Sequence, residues 1–156
     1  MGTPRCFYRL LTILLISTSI VALPIATSNQ AATASIRAPR MAAYVWAYHH
    51  VRDPYCWGGT GPSCFDCSGL IVAAYAREGL HFGRSTYEIL ASWRLVRESE
   101  SRARRGDLAF FGTGHVEFFV TPRYTFGALE PGTRIGWHRS SVWWHPTMFF
   151  RVRGAG

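Results

Sequence analysis

The run Trp57-Gly58-Gly59-Thr60-Gly61-Pro62 leads within a few residues into Asp66-Cys67-Ser68-Gly69-Leu70, and then into an apolar stretch, Ile71-Val72-Ala73-Ala74-Tyr75-Ala76. A Gly-rich turn followed by such a run predicts a loop feeding a helix over 67–78, with Asp66 at the N-cap and Gly79 at C′. Cys67 then stands at the helix N-terminus, where unpaired N–H groups and the helix dipole favour thiolate over thiol. The thiolate is the nucleophile, so this is where a chain would build a reactive cysteine. A buried core cysteine is the plainer alternative, but the flanking turn weighs against it. Farther on, Gly114-His115-Val116 puts a histidine on an apolar strand-like run. Alone it would be a structural strand histidine; beside the Cys67 motif it becomes a candidate base.

The first part of the chain reads as separate from this domain. Arg5 and Arg9 precede an apolar segment, Leu10 to Ala22, and Ala32-Thr33-Ala34 is a small-residue cleavage pattern. These features predict a secretory signal peptide over 1–34 and a mature domain over 35–156. An uncleaved anchor is the alternative, although the apolar core is short for a membrane span. No cysteine follows that core closely, which argues against a lipid anchor, and no stable membrane insertion is expected after cleavage. Every basic residue is arginine, and 15 of the 17 lie beyond the leader, against 9 acidic residues. Outside a cell, such a positive domain meets an anionic cell envelope rather than nucleic acid. The run Arg102-Ala103-Arg104-Arg105 reads as a solvated loop before a turn at Gly106-Asp107. A monomer is expected.

Cysteine usage agrees with export. Cys6 leaves with the leader, and Cys56, Cys64 and Cys67 remain. An odd number in a secreted domain suggests one pair and one free thiol. Cys56 and Cys64 flank the Gly-rich turn and would staple it, leaving Cys67 free. The spacing Cys64-Phe65-Asp66-Cys67 lacks a second pair, so no metal site is expected, and no cofactor.

Helical patterning covers Met41 to Val51, closed by Pro54, and a short helix is predicted over Thr86 to Trp93. The pattern then changes. Leu108 to Phe111, His115 to Val120, Tyr124 to Phe126, Thr133 to Trp137 and Met148 to Val152 read as strands between Gly or Pro turns. Helices first and strands later argue for an α+β domain with an antiparallel sheet. Trp137, Trp143 and Trp144 would stack on a sugar ring or pack in the core and sheet; packing is the expectation.

Taken in order, Tyr55-Cys56-Trp57-Gly58-Gly59, Phe65-Asp66-Cys67-Ser68-Gly69-Leu70, Gly106-Asp107-Leu108 and Gly114-His115-Val116 resemble the NlpC/p-sixty family of cell-wall cysteine peptidases across roughly 41–150. The resemblance implies a papain-like α+β fold, in which cysteine precedes histidine in the chain. It also implies hydrolysis of the D-glutamyl to diamino acid bond of peptidoglycan stem peptides. It implies Cys67 as nucleophile and His115 as general base and acid. Tyr55, Asp66 and Ser68, with Trp57 and Arg84, match positions around the substrate cleft.

One departure matters. The family carries a polar residue about a dozen positions after the histidine, on the next strand, to orient the imidazole; here that position is Gly127. Two residues after His115 stands Glu117 instead. Residues i and i+2 of a strand share a face, so Glu117 points to the side of His115, into space left by Gly127. The role needs only an acceptor on the second imidazole nitrogen. Glu117, His138, a backbone carbonyl or no third member all remain open. Three functions are compatible with these residues: a peptidoglycan endopeptidase, a weakened relative that binds wall peptide or regulates, and an amidase or acyl transferase of related fold.

Overall fold

The computed structural model describes residues 38–156 and the first two residues; the leader reading over 1–34 lies outside the described residues. The folded domain belongs to the unit Ser35–Gly156. Three helices come first, α1 (Pro39–Tyr48), α2 (Cys67–Ala76) and α3 (Thr86–Leu90). Six strands come after them: β1 (Leu95–Glu98), β2 (Leu108–Phe111), β3 (His115–Thr121), β4 (Tyr124–Gly127), β5 (Gly136–Arg139) and β6 (Met148–Val152). They form one sheet in the order β1-β6-β2-β3-β4-β5, antiparallel at every pairing. This is the α+β architecture expected of helices followed by strands. Among the described residues, no helix is long and apolar enough to cross a membrane.

The sheet's pleat separates a core face from a second face. Val116 and Phe118 of β3 join Leu108, Phe110, Phe126, Phe150 and Val152 in the main core, where Leu70, Ile71, Ala74 and Tyr75 of α2 and Ala43, Tyr44 and Ala47 of α1 cover them. Each fully buried aliphatic side chain of this kind contributes about 1.5–3 kcal/mol. Tyr75 fastens α2 to the sheet: its ring stacks on Phe118 at 6.0 Å, and its hydroxyl donates to the Gly106 carbonyl at 2.8 Å. Ala109, Phe119 and Phe149 form a smaller cluster. Because side chains alternate along a strand, His115, Glu117 and Phe119 share one side of β3 and Val116 and Phe118 the other.

Element ends differ from the sequence reading for identifiable reasons. Helix α1 starts at Pro39 rather than Met41, since proline at the first helical position gives up a donor that has no partner there. It ends at Tyr48, and turns carry the chain on to Pro54. Helix α2 stops at Ala76, and the chain reverses through Gly79 at φ 72°. Helix α3 is shorter than expected, but Ser85 and Glu88 close a full capping box at its start.

Strand β1 was not expected. Leu95-Val96-Arg97-Glu98 is a short edge strand with two charged residues, the composition that keeps sheet edges from pairing with other chains, and so it carries little periodic signal. The strand expected over 133–137 lies instead at 136–139. The preceding residues serve the loop: Ile135 N–H donates to Asp53 O at 2.9 Å and Tyr55 N–H to Thr133 O at 3.0 Å. That exchange fixes Tyr55 beside the Gly-rich turn. Asp107, read as a turn residue, does cap its turn by accepting from the Arg104 N–H at 2.7 Å, but it does so fully buried.

Candidate active site

The loop before α2 is built around Asp66. One carboxylate oxygen accepts from Gly69 N–H at 2.7 Å and, more loosely, from the Ser68 hydroxyl at 3.3 Å. The other accepts from Gly58 N–H at 3.0 Å and from the Arg84 guanidinium at 2.6 Å. Asp66 is therefore an N-cap, a turn clamp and an ion-pair partner at once. Arg84 also donates to Ser68 Oγ at 2.9 Å and to Gly59 O at 3.3 Å. Among the described residues, no acceptor takes the N–H groups of Cys67 or Ser68, so the first turn of α2 keeps donors free beside the thiol.

The glycines in this loop are spatial requirements. A Cβ on Gly69 would run into Gly59 O, and one on Gly59 into Cys56 Sγ. Cys56 and Cys64 are disulfide-bonded, with Cα atoms 5.7 Å apart, and Cys67 is the free thiol. Closing so short a loop stabilises the fold by about 2–3 kcal/mol on the chain-entropy model. Reduction is expected to lower the urea midpoint accordingly. An unchanged midpoint, or two alkylatable thiols at 56 and 64 in exported protein, would contradict this.

Cys67 opens onto a cleft of about 340 Å³ walled by Tyr55, Trp57, Gly58, Asp66, Ser68, Arg84, Ser85, Thr86, Tyr87 and Gly114. All five residues expected around a substrate lie in this wall. Trp57 forms its exposed rim, at 87% exposure. Burial, then the charges of Cys67 and Asp66, push the Tyr55 phenol above its ordinary pKa, against the pull of Arg84.

His115 stands at the start of β3, and its imidazole acts on the Cys67 thiol. Its Nε2 lies 3.1 Å from Glu117 Oε1, which leaves Nδ1 for the thiol. Burial alone would push the Cys67 thiol up. The hydrogen bond and charge of His115, the Val116 N–H and the Thr86 hydroxyl outweigh it and hold the thiol below its ordinary value. Burial likewise opposes the imidazolium, but Cys67 and Glu117 carry His115 up to about 9. Glu117 is fully buried. Burial would raise its pKa, and the hydrogen bond from His115 together with the proximity of His115 and His138 brings it below the usual carboxylate range. The arrangement favours the thiolate, the imidazolium and the carboxylate together.

The site also explains the glycine in the next strand. A Cβ on Gly127 would stand 2.8 Å from Glu117 Cγ and 3.1 Å from Cδ. Glu117 thus occupies the volume that a side chain at 127 would need. His138 approaches the same carboxylate from β5, with Nδ1 2.6 Å from Oε1.

Three companions of the site lay outside the sequence reading. Thr86 Oγ1 is 3.9 Å from Cys67 Sγ. The Phe111 and Trp144 rings flank His115, with centroids 5.5 and 5.2 Å from the imidazole, and stack on each other at 4.2 Å. The expectation that the tryptophans pack in the core and sheet needs correcting. Trp144 packs against the site, Trp137 is half-exposed over Tyr48 and Phe126, and Trp143 is 94% exposed. Only the separation of 29 residues between His115 and Trp144 hid that contact.

The model of the NlpC/P60 family matches residues 52–152. The chain belongs to the NlpC/P60 family. Among curated relatives, the probable endopeptidase p60 of Listeria innocua is 37% identical over 92 residues, 56% of this chain and 19% of that protein. The bifunctional muramidase/DL-endopeptidase CwlT of Bacillus subtilis is 32% identical over 110 residues, 65% of this chain and 33% of that protein. This NlpC/P60 chain therefore spans about a fifth to a third of those relatives. The NlpC/p60 domain of the peptidoglycan hydrolase SagA superposes with TM-score 0.65 at 29% identity, covering 72% of this chain and 98% of that domain. An NLP/P60 protein from Staphylococcus aureus gives 0.63 at 27%, covering 74% of this chain and 41% of the other.

Proposed function

We propose that this NlpC/P60 chain is a secreted, wall-associated cysteine endopeptidase that cuts peptidoglycan stem peptides at the amide between D-glutamate and the diamino acid. One observation carries the reading: Cys67 opens onto a cleft, and His115, whose charge acts on that thiol, has its Nε2 3.1 Å from Glu117 Oε1. Relatives named endopeptidases and a neighbour named a peptidoglycan hydrolase support the substrate class.

The Cys67 thiolate attacks the amide carbonyl and forms the S–C bond. Negative charge on the carbonyl oxygen is met by the free N–H at the start of α2. His115 gives its Nδ1 proton to the leaving amine as the C–N bond breaks, then takes a proton from water, which cleaves the thioester and returns Cys67 as thiolate. Glu117 fixes the ring and stabilises the imidazolium between these transfers. Tyr55, Trp57, Asp66 and Ser68 shape the cleft, and Arg84 offers its remaining N–H donors to a substrate carboxylate. The positive surface favours an anionic envelope as the working environment.

The test is digestion of purified peptidoglycan by the exported protein, with mass analysis of the products. New stem fragments ending in D-glutamate are expected, with a free amine on the diamino acid. Intact stem peptides released from the glycan would identify an amidase instead. Retention of the wall with no cleavage would identify a binding module.

A further inference from the structure

Two imidazoles share one carboxylate in this molecule. Glu117 Oε1 is 3.1 Å from His115 Nε2 and 2.6 Å from His138 Nδ1. The His138 contact is bent, a close polar contact rather than an aligned hydrogen bond, and the second oxygen, Oε2, is buried with no partner among the described residues. The carboxylate is fully buried, and both histidine side chains are only 13–14% exposed. A buried carboxylate held by one imidazole alone would be poorly compensated. It would also be free to turn, because the strand that faces it offers only Gly127. The remaining polar neighbour on that strand is Thr125, which pairs with His138 in the sheet and whose buried hydroxyl has no partner among the described residues.

We propose that His138 is a positioning residue for the reaction: from β5 it pins the Glu117 carboxylate against His115, doing from the far side what a side chain at position 127 would otherwise do. The inference rests on the reading of Glu117 as the group that orients His115. It adds a fourth member to the series and places it two strands from the base. His138 also borders a second cavity of about 460 Å³ with Trp137, Arg139 and Trp144. It is thus the link between that surface and the reacting groups.

The test compares His138→Asn with His138→Gln in the exported protein. Asparagine keeps an N–H donor near the place of Nδ1; glutamine moves it outward to the place of Nε2. Both are polar and suit an edge strand, so folding is not what separates them. Two readouts are taken: kcat and KM on a soluble stem-peptide fragment, and the pH dependence of Cys67 alkylation by iodoacetamide, which needs no substrate. His138→Gln is expected to lower kcat about tenfold to a hundredfold, the scale on which outer partners of a functional histidine act. KM should stay within about twofold, and the alkylation profile should shift to higher pH. His138→Asn should recover most of the loss. In the Glu117→Gln background, His138→Gln should cost nothing further, because both act through one carboxylate.

Equal behaviour of the two variants, or losses that multiply with Glu117→Gln, would overturn the proposal while leaving Glu117 in place. A silent Glu117→Gln would overturn the reading of Glu117 itself, and the proposal with it. An unaltered alkylation shift alongside an uncut peptide would locate the failure in the assumed substrate, and the His138 proposal would stand.

Discussion

Cys67→Ala is expected to reduce hydrolysis by three or more orders of magnitude while leaving the fold intact, because among the described residues no other thiol lines the cleft. The side chain is small and sits at the first position of α2, with the N-cap bonds of Asp66 independent of it. A thiol reagent should label the non-reduced mature protein, residues 35–156, once, at this residue. The pH dependence follows from the two shifts. The thiol titrates below its ordinary value, so the thiolate forms at lower pH than that of an ordinary cysteine. His115 keeps its proton up to about 9, so turnover should decline as pH rises through that value and the leaving amine loses its acid. The pair titrates jointly, and the two limbs of the profile belong to the couple. Labelling at another cysteine, or turnover still rising well above pH 9, would sink this assignment.

The second large effect concerns the carboxylate and the gap that admits it. Glu117→Gln should lower kcat about a hundredfold or more with little change in KM, since the amide stabilises imidazolium poorly and can favour the wrong tautomer. Gly127→Ala should do much the same without touching a single polar group. Its Cβ falls 2.8 Å from Glu117 Cγ, and the carboxylate must swing off His115 to make room. Gly127 does not need a left-handed backbone, so any loss is steric rather than conformational. Gly127→Ala with normal kcat, or Glu117→Gln within the few tenths of a kcal/mol typical of surface changes, would refute this account of the site.

What could be read in the sequence was what local rules encode. Cys67 and Asp66 were legible because a cap and a helix start are written in adjacent residues. The meeting of Glu117 with His115 was legible because a strand repeats every two residues, and Gly127 marked the empty volume opposite. His138 was only one option among several, since nothing in a chain announces that a residue two strands on will bring its imidazole to the same oxygen. Phe111 and Trp144 were missed for the same reason. Strand β1 escaped because an edge strand with charged residues has no buried face to impose alternation. The shift of β5 came from Thr133 and Ile135, whose apolar alternation serves loop pairing with Asp53 and Tyr55 rather than the sheet.

The placement of acid and base on one strand changes where this domain can vary. When the orienting group sits on the neighbouring strand, the chain beyond it is tied to catalysis through the register of two strands. Here β4 has to remain small at Gly127 and to hold β5, with His138, alongside it. Its pairing with β3 already tolerates a register shift between Phe119 and Thr121, and the imidazole and carboxylate stay in step because three consecutive residues of a single backbone carry them. The exposed turn Glu130-Pro131-Gly132 carries neither the imidazole nor the carboxylate of the site, but it leads into Thr133, which holds Tyr55, and into β5 with His138. It can be recoloured in charge, whereas lengthening it must preserve the pairing of β5 with β4 that brings His138 to Glu117. His-x-Glu with a glycine on the adjoining strand becomes a portable cassette, one by which the same solution can be sought in other chains whose expected third residue is missing.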